Sequence, residues 1–316
     1  MGKGPQKTVT ALDAITADLV AVLVAVTEGN PKIMTIANAG ALPSGPFQFA
    51  HRSLQMGLRA WVEAQTGHPL GYVEQLYTFA DRGRSGDPEA PHRISISYLG
   101  LTREELIREG SEARWSSWYD YFPWEDHRAG PPALIAKTIA PKLRGWAKAE
   151  ANPGLQKERW RRAAITFGLD GRDWNEELAL QRYELLYETS LIAEAVRDKG
   201  HGEPAVPGRA MTADHRRILA TGIARLRAKI KYRPVVFELM PVEFTLLQLQ
   251  RSVEALAGRL VHKQNFRRLI EQQELVEETG AIAADTIGRP AKLFRFRQGV
   301  LAERAVIGTK LPLSRS

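Results

Sequence analysis

Three textures of hydrophobic and polar positions succeed one another along the chain. The first is built from strands. Leu19 to Val26 (LVAVLVAV) is a continuous apolar run, far below the ~20 residues that cross a bilayer. The turn Glu28-Gly29-Asn30-Pro31 follows it, so the run and Lys32 to Ile36 predict a hairpin with a buried first strand. Between Ser53 and Gln65, Leu54, Leu58, Trp61 and Val62 recur on one face, which predicts a helix. Val73 to Phe79 and Arg93 to Leu101 alternate as strands. Strands, one helix and more strands predict an α+β domain over residues 1–125.

The second texture, residues 126–212, is helical. Ile135, Ile139, Leu143 and Trp146 predict one helix. Leu178, Leu180, Tyr183, Leu186, Tyr187 and Leu191 predict a longer one. Lys199 to Gly208 (KGHGEPAVPG) has the composition of a linker. Ahead of this region lies a dense aromatic patch of Trp115, Trp118, Tyr119, Tyr121, Phe122 and Trp124, read as core or interface packing.

The third texture, residues 213–316, opens with a basic helix from Asp214 to Lys231. Thr245 and Gln248 then have the spacing of a capping box. Leu246, Leu249, Val253 and Leu256 mark the apolar face of a helix that Gly258 stops. A second helix keeps Phe266, Leu269 and Ile270 for the core and turns Lys263, Gln264, Asn265, Arg267 and Arg268 outward. Leu275 to Glu278, a loop from Gly280 to Pro290, and the alternating KLFRFR of Lys292 to Arg297 complete a hairpin. Helix, short glycine turn, polar helix and basic hairpin are the layout of a winged helix-turn-helix.

Charge agrees with that layout. Residues 214–316 carry 19 Lys and Arg against 10 Asp and Glu, while residues 1–213 carry 25 against 26. The net +8 therefore lies in the C-terminal third. Such an excess suits a polyanion, because neutralised phosphates release counterions. No long basic amphipathic helix with exposed Trp or Phe accompanies it, so a membrane surface is not expected. There is no cysteine, which removes disulfides, thiolate metal sites and a cysteine nucleophile. The dispersed histidines predict no zinc site. No secretory leader is expected, because Asp13 and Asp18 stand where a positive region is wanted; the expected location is cytoplasmic.

The front domain has the element order of a Nudix domain. The Nudix box needs glutamates to hold Mg²⁺ on a pyrophosphate. In the frame that anchors its glycine on Gly67, Arg52, Ala60, Trp61, Ala64 and Gln65 occupy the box positions. A shift by one restores Arg59 and Glu63 but loses the glycine to Thr66 and puts His51 at the first glutamate. Neither frame keeps the carboxylates, so catalysis is not expected. The alternative is a Nudix-type hydrolase of a nucleoside diphosphate derivative using Glu63 or Glu74.

Four features together carry a resemblance: the degenerate box, EQLYTFADRGR (Glu74 to Arg84), ADHRRIL (Ala213 to Leu219), and FTLLQLQ running to NFRR (Phe244 to Arg268). The chain resembles the Nudix-related transcriptional regulators of NAD metabolism, the NrtR and NadQ type, over roughly residues 15–125 and 213–297. It is nearest the NadQ-like members, because a helical section separates the strand region from Asp214-His215. The resemblance implies a degenerate Nudix-like α/β/α domain with a helical insertion and a C-terminal winged helix-turn-helix. It also implies a homodimeric repressor of NAD-biosynthesis genes on a palindromic double-stranded operator. Its effector would be an adenine nucleotide (NAD, ADP-ribose or ATP), with no required cofactor.

The expected DNA-binding residues are Thr245, Lys263, Gln264, Asn265, Arg267, Arg268, Arg289, Lys292 and Arg295, with Arg297 a further candidate. Arg can grip guanine O6/N7 and Asn can pair adenine N6/N7; Arg267 and Arg268 can equally hold phosphates. The expected ligand site is Gln75, Tyr77 and Phe79, placed on one strand face by alternation, with Arg82 and Arg84 at the strand exit. An aromatic ring over adenine and arginines on the diphosphate would make a nucleotide pocket. Asp214-His215 is read as a helix start rather than an acid–base pair.

Overall fold

In the computed structural model of the protein, the described residues are 15–71, 73–81, 92–104, 107, 110–232, 236–283 and 290–299. Strand β1 (Ile15–Thr27) is the spine. It turns through Glu28 (φ 51°) and Gly29 (φ 71°) into β2 (Asn30–Thr35). Two consecutive positive φ angles give the type I′ geometry that matches strand twist, with Thr27 opposite Asn30. On its other edge β1 runs parallel to β5 (His92–Leu101), from Ile15 opposite His92 to Val24 opposite Leu101. Strand β4 (Val73–Phe79) pairs β5 antiparallel and β6 (Arg114–Ser117) pairs β2, giving the order β4-β5-β1-β2-β6. The short β3 (Ser44–Pro46) pairs the early part of β1.

The apolar run of β1 is buried on both faces, which explains why it does not alternate. Leu19, Ala21 and Leu23 pack with Leu58 and Val62 of helix α1 (Leu54–Thr66). Val20, Val22 and Val24 face the opposite way, into the main core. Helix α6 (His215–Tyr232) crosses there, and a Cβ on its Gly222 would lie 3.0 Å from Val22 Cγ1. The sheet is thus layered α/β/α, with α1 on one face and α6 on the other, so the second helical layer comes from beyond residues 1–125. Ser53 caps α1, its Oγ accepting from Met56 N–H, and Gly67 ends the helix in the left-handed conformation.

The helical section is richer than its periodicity suggested. Ile135–Ile139 is a π turn that runs into α2 (Ala140–Lys148). Pro141 has no N–H to give to the preceding turn, which disfavours regular α-helix there. Helix α3 (Pro153–Phe167), unmarked in the sequence reading, starts on Asn152, whose Oδ1 accepts from Gly154 and Leu155. The predicted helix marked from Leu178 to Leu191 is α4 (Ala179–Glu188); the chain turns at Ser190 (φ 58°), short of Leu191, before a separate helix, α5 (Ala193–Lys199), that the sequence pattern did not mark.

Helices α7 (Leu246–Ala257) and α8 (Lys263–Gln272) form the helix-turn-helix, followed by β7 (Val276–Ala283) and β8 (Ala291–Phe296). Phe244 bridges Phe294 as a further strand position, with N–H to O distances of 2.9 and 2.8 Å. Strand β7 runs on past Glu278 through a bulge, so the predicted loop start at Gly280 lies inside the strand. One hydrophobic core runs from β1 through Trp118, Tyr121, Phe122 and Trp124 and the insertion to Phe266 and Phe296. The aromatic patch is therefore core.

Candidate functional site

The capping box at Thr245 forms as predicted: Thr245 Oγ accepts from Gln248 N–H at 3.2 Å, and Gln248 Oε1 accepts from Thr245 N–H at 2.7 Å. Thr245 is buried in this role at 8% exposure. Gly258 (φ 72°) closes α7. Helix α8 buries Phe266 and Ile270, which rotates Lys263, Gln264, Asn265, Arg267 and Arg268 to the surface. No side-chain hydrogen bond or ion pair to another described residue engages these five. His262 gives α8 no side-chain cap, so first-turn amides remain open to a phosphate oxygen. Asn265 also borders a groove with Arg259, Val261 and Glu176.

The wing differs from α8. Lys292 Nζ lies 2.9 Å from both carboxylate oxygens of Glu278, Arg295 Nε 2.7 Å from Glu277, and Arg297 Nη1 3.1 Å from Glu274. Its candidate cations are thus already paired across the hairpin or at its base. Exposed pairs of this kind contribute about 0–1 kcal/mol, so they can be exchanged for phosphate at small cost. Arg289 lies outside the described residues.

The candidate ligand strand does not alternate as expected. A bulge between Gln75 and Thr78 breaks its register with β5. Buried Ser97 fills the gap, donating to Tyr77 O at 2.8 Å and accepting from Tyr77 N–H at 3.3 Å. Gln75 and Tyr77 are exposed, whereas Phe79 is buried, so the three do not share one open face. The Tyr77 and Phe79 rings still touch edge to face, with centroids 5.0 Å apart. Arg82 and Arg84 lie outside the described residues. Arg93 pairs with Asp18 at 3.2 Å.

Much of EQLYTFAD packs against α6, the helix that carries ADHRRIL. Glu74 pairs with Arg225 at 3.3 Å and with Lys229. Arg217 pairs with Asp81 at 2.5 Å and lies over the Phe79 ring at 4.8 Å. The two motifs are complementary halves of one contact. Helix α6 starts at His215, as expected for Asp214-His215. Leu42 N–H donates to His215 Nδ1 at 3.0 Å, which places the ring proton on Nε2. Burial, reinforced by Arg93, pulls the His215 pKa down to about 4.

The box positions serve structure. Gln65 Oε1 accepts from Ser44 N–H at 3.0 Å and its Nε2 donates to Ser44 O at 2.8 Å, clamping β3. Trp61 Nε1 donates to Pro46 O at 2.9 Å. Glu63 is exposed on α1, while Glu74 faces α6 across the sheet. Among the described residues no three His, Asp or Glu side chains group as metal ligands.

Sequence reasoning missed two buried ionic clusters. Arg182 binds both oxygens of Glu125, at 2.5 and 2.9 Å, and Arg227 binds the same carboxylate. All three side chains are 0% exposed. Burial pushes the Glu125 pKa up, but the two guanidiniums outweigh it and hold the carboxyl below its ordinary range. Arg216 pairs with Glu194 at 2.9 Å and lies over the Phe122 ring at 5.3 Å. A charged residue inside an amphipathic helix gives no sequence signal of burial.

A sheet with α1 on one face and the basic α6 on the other, followed by a winged helix-turn-helix, makes a two-part architecture. Residues 236–296 match the NrtR DNA-binding winged helix domain, and the fold is that of the Nudix-related NrtR regulators. The chain is similar to Shewanella oneidensis NrtR, solved with a 27mer DNA, at TM-score 0.54 and 17% identity over 90% of this chain and 95% of that one. It is similar to a MutT/nudix family protein from Enterococcus faecalis at TM-score 0.53 and 16% identity, covering 94% and 90% of the two chains. An Acinetobacter baylyi protein named ADPR responsive transcriptional repressor NtrR is 40% identical over 85 residues. That stretch is 26% of this chain and 33% of the relative's length. Among the described residues, no helix is long and apolar enough to cross a membrane.

Proposed function

We propose that this chain is a dimeric transcriptional repressor of NAD-biosynthesis genes. Its winged helix binds a palindromic operator, and its Nudix-like domain binds ADP-ribose or a related adenine nucleotide and adjusts that binding. The observation that carries the reading is α8. In a winged helix of the NrtR family, it presents Lys263, Gln264, Asn265, Arg267 and Arg268 outward with no partner among the described residues. Cations free of internal pairs give their full attraction to phosphates and base edges. Lys292 and Arg295 of the wing add contacts by exchanging their glutamates, with Arg289 next to them in sequence.

The sensing half rests on β4 and α6. Gln75 and Tyr77 are open on β4, and Arg82 and Arg84 follow in sequence to meet a diphosphate. Helix α6 fastens β4 to the winged helix, so a ligand there has a physical route to the DNA-reading helices. The names of the relatives, an ADPR-responsive repressor and an NrtR complexed with DNA, agree with this reading. We place the protein in the cytoplasm and assign it no hydrolase activity, since Arg52, Ala60, Trp61, Ala64 and Gln65 fill the box.

Selection from a pool of random duplexes tests the proposal. The full chain enriches an inverted repeat whose half-sites lie about one helical turn, or a multiple, apart. Recovery of unrelated sequences with no symmetric motif would refute it.

A further inference from the structure

Three segments converge on the C-terminal end of α7. A helix end leaves its last carbonyls without internal partners, and here other elements supply them. Tyr119 Oη donates to Ala255 O at 2.7 Å. Arg227 Nε, from α6, donates to Leu256 O at 2.9 Å. His127 N–H donates to Gly258 O at 2.7 Å. The contact has no slack: a Cβ on Gly258 would lie 2.4 Å from Glu125 O, 2.8 Å from Arg227 Nη2 and 3.0 Å from Tyr119 Oη.

Arg227 is itself fixed from behind. Its Nη1 binds the Glu125 carboxylate and donates to Glu176 O at 3.2 Å. The other side of that carboxylate is held by Arg182, which donates further to Thr166 O at 3.0 Å and Asn175 O at 2.9 Å. Arg182 also lies 3.7 Å over the ring of Trp174, which stacks on His127. Glu176 reaches the turn between α7 and α8 through Arg259, at 3.1 Å. A planar guanidinium joins several acceptors in one fixed geometry, which an ammonium cannot do.

We propose that Arg227, held by Glu125 and Arg182, is a positioning residue that locks the helix-turn-helix to the sensor body, and that the insertion exists to build this lock. It sets the angle at which α8 is presented. The inference rests on the DNA-binding reading above. A dimer that reads two half-sites needs a fixed separation between its two α8 helices. Contact with phosphates alone does not. Loosening the lock therefore weakens operator binding and leaves random DNA binding intact.

The native chain has no cysteine, so the substitutions Ala151→Cys and Gln272→Cys place one spin-label pair between the insertion and α8. Both positions are exposed. The main variant is Arg227→Lys, which keeps the charge that neutralises Glu125 and removes the fork. The second is Gly258→Ala, which crowds the lock from the opposite side. With the doubly labelled chain diluted into an excess of unlabelled chain, so that a dimer holds at most one labelled protomer, electron–electron distance measurement gives one narrow distance in the parent chain and a broadened one in either variant. Operator affinity falls roughly tenfold or more relative to random duplex, a ratio that marks specific binding, while random-duplex affinity stays within about twofold. A narrow, unshifted distance with an unchanged affinity ratio in a folded variant overturns the proposal. If Arg227→Lys does not fold, Gly258→Ala decides by the same readings, and the reverse holds equally. A parent chain with no operator preference refutes the DNA-binding reading instead, and the distance measurement still decides whether the lock exists.

Discussion

Replacing both Arg267 and Arg268 by alanine measures what α8 contributes. Both side chains are exposed, and neither has a hydrogen bond or ion pair to a described residue. Their loss should therefore change folding stability by no more than about 0.5 kcal/mol, and the effect falls on DNA. If both hold phosphates, the slope of log K against log salt becomes shallower by about 1.8. If one instead grips a guanine edge, its removal costs about 1–3 kcal/mol, or roughly 5- to 150-fold, and relaxes preference at that base pair. Lys292→Ala is the internal control. Lys292 must leave Glu278, 2.9 Å away, before it meets DNA, so its loss should cost less than either arginine. The assay is fluorescence anisotropy on a labelled operator, titrated at several salt concentrations from 50 to 200 mM, over which the parent chain should lose roughly 10³-fold if about six phosphates are neutralised. A double variant with parental affinity and parental slope would show that α8 is not the reading helix.

Acid should destabilise the protein through His215. Its folded pKa is about 4 against 6.5 unfolded, so between those values the unfolded state binds more protons. That contribution is whole above pH 6.5 and is lost as pH falls toward 4, at most ~3 kcal/mol. Urea unfolding at pH 7 and 4.5 reads the loss, and a flat difference between parent and His215→Gln would contradict it. Calorimetry should detect ADP-ribose, NAD or ATP on the front domain, with Arg82→Ala or Arg84→Ala costing tenfold or more, since a charge-assisted hydrogen bond contributes about 1.5–3 kcal/mol; equal affinity in both variants removes these arginines from the pocket. Incubation with Mg²⁺ and ADP-ribose or NADH should give no turnover, and activity abolished by Glu63→Gln would restore the hydrolase alternative.

What the sequence made legible follows from how local each signal is. The capping box, Gly258 and the Phe266–Ile270 stripe are short-range patterns, and the helix-turn-helix stands where they put it. The Glu28-Gly29 turn likewise marks its hairpin. Strand β4 misled because a bulge depends on its neighbour: Ser97 of β5 supplies the bonds that interrupt the alternation. Phe79 therefore enters the core instead of joining Gln75 and Tyr77. The existence of α3 and α5 was obscured because the insertion buries only parts of each helix. The lock was invisible for a further reason. Glu125, Arg182 and Arg227 lie 57 and 102 residues apart along the chain from Glu125, and nothing local marks any of them as buried.

The most direct test of a nucleotide-controlled DNA-binding protein is a titration of the selected operator with the full chain, alone and with saturating ADP-ribose. The account predicts specific binding, and a shift in operator affinity of about fivefold or more when nucleotide is present, the lower range for coupling between two sites. Operator binding that stays the same while calorimetry shows the nucleotide bound would contradict it.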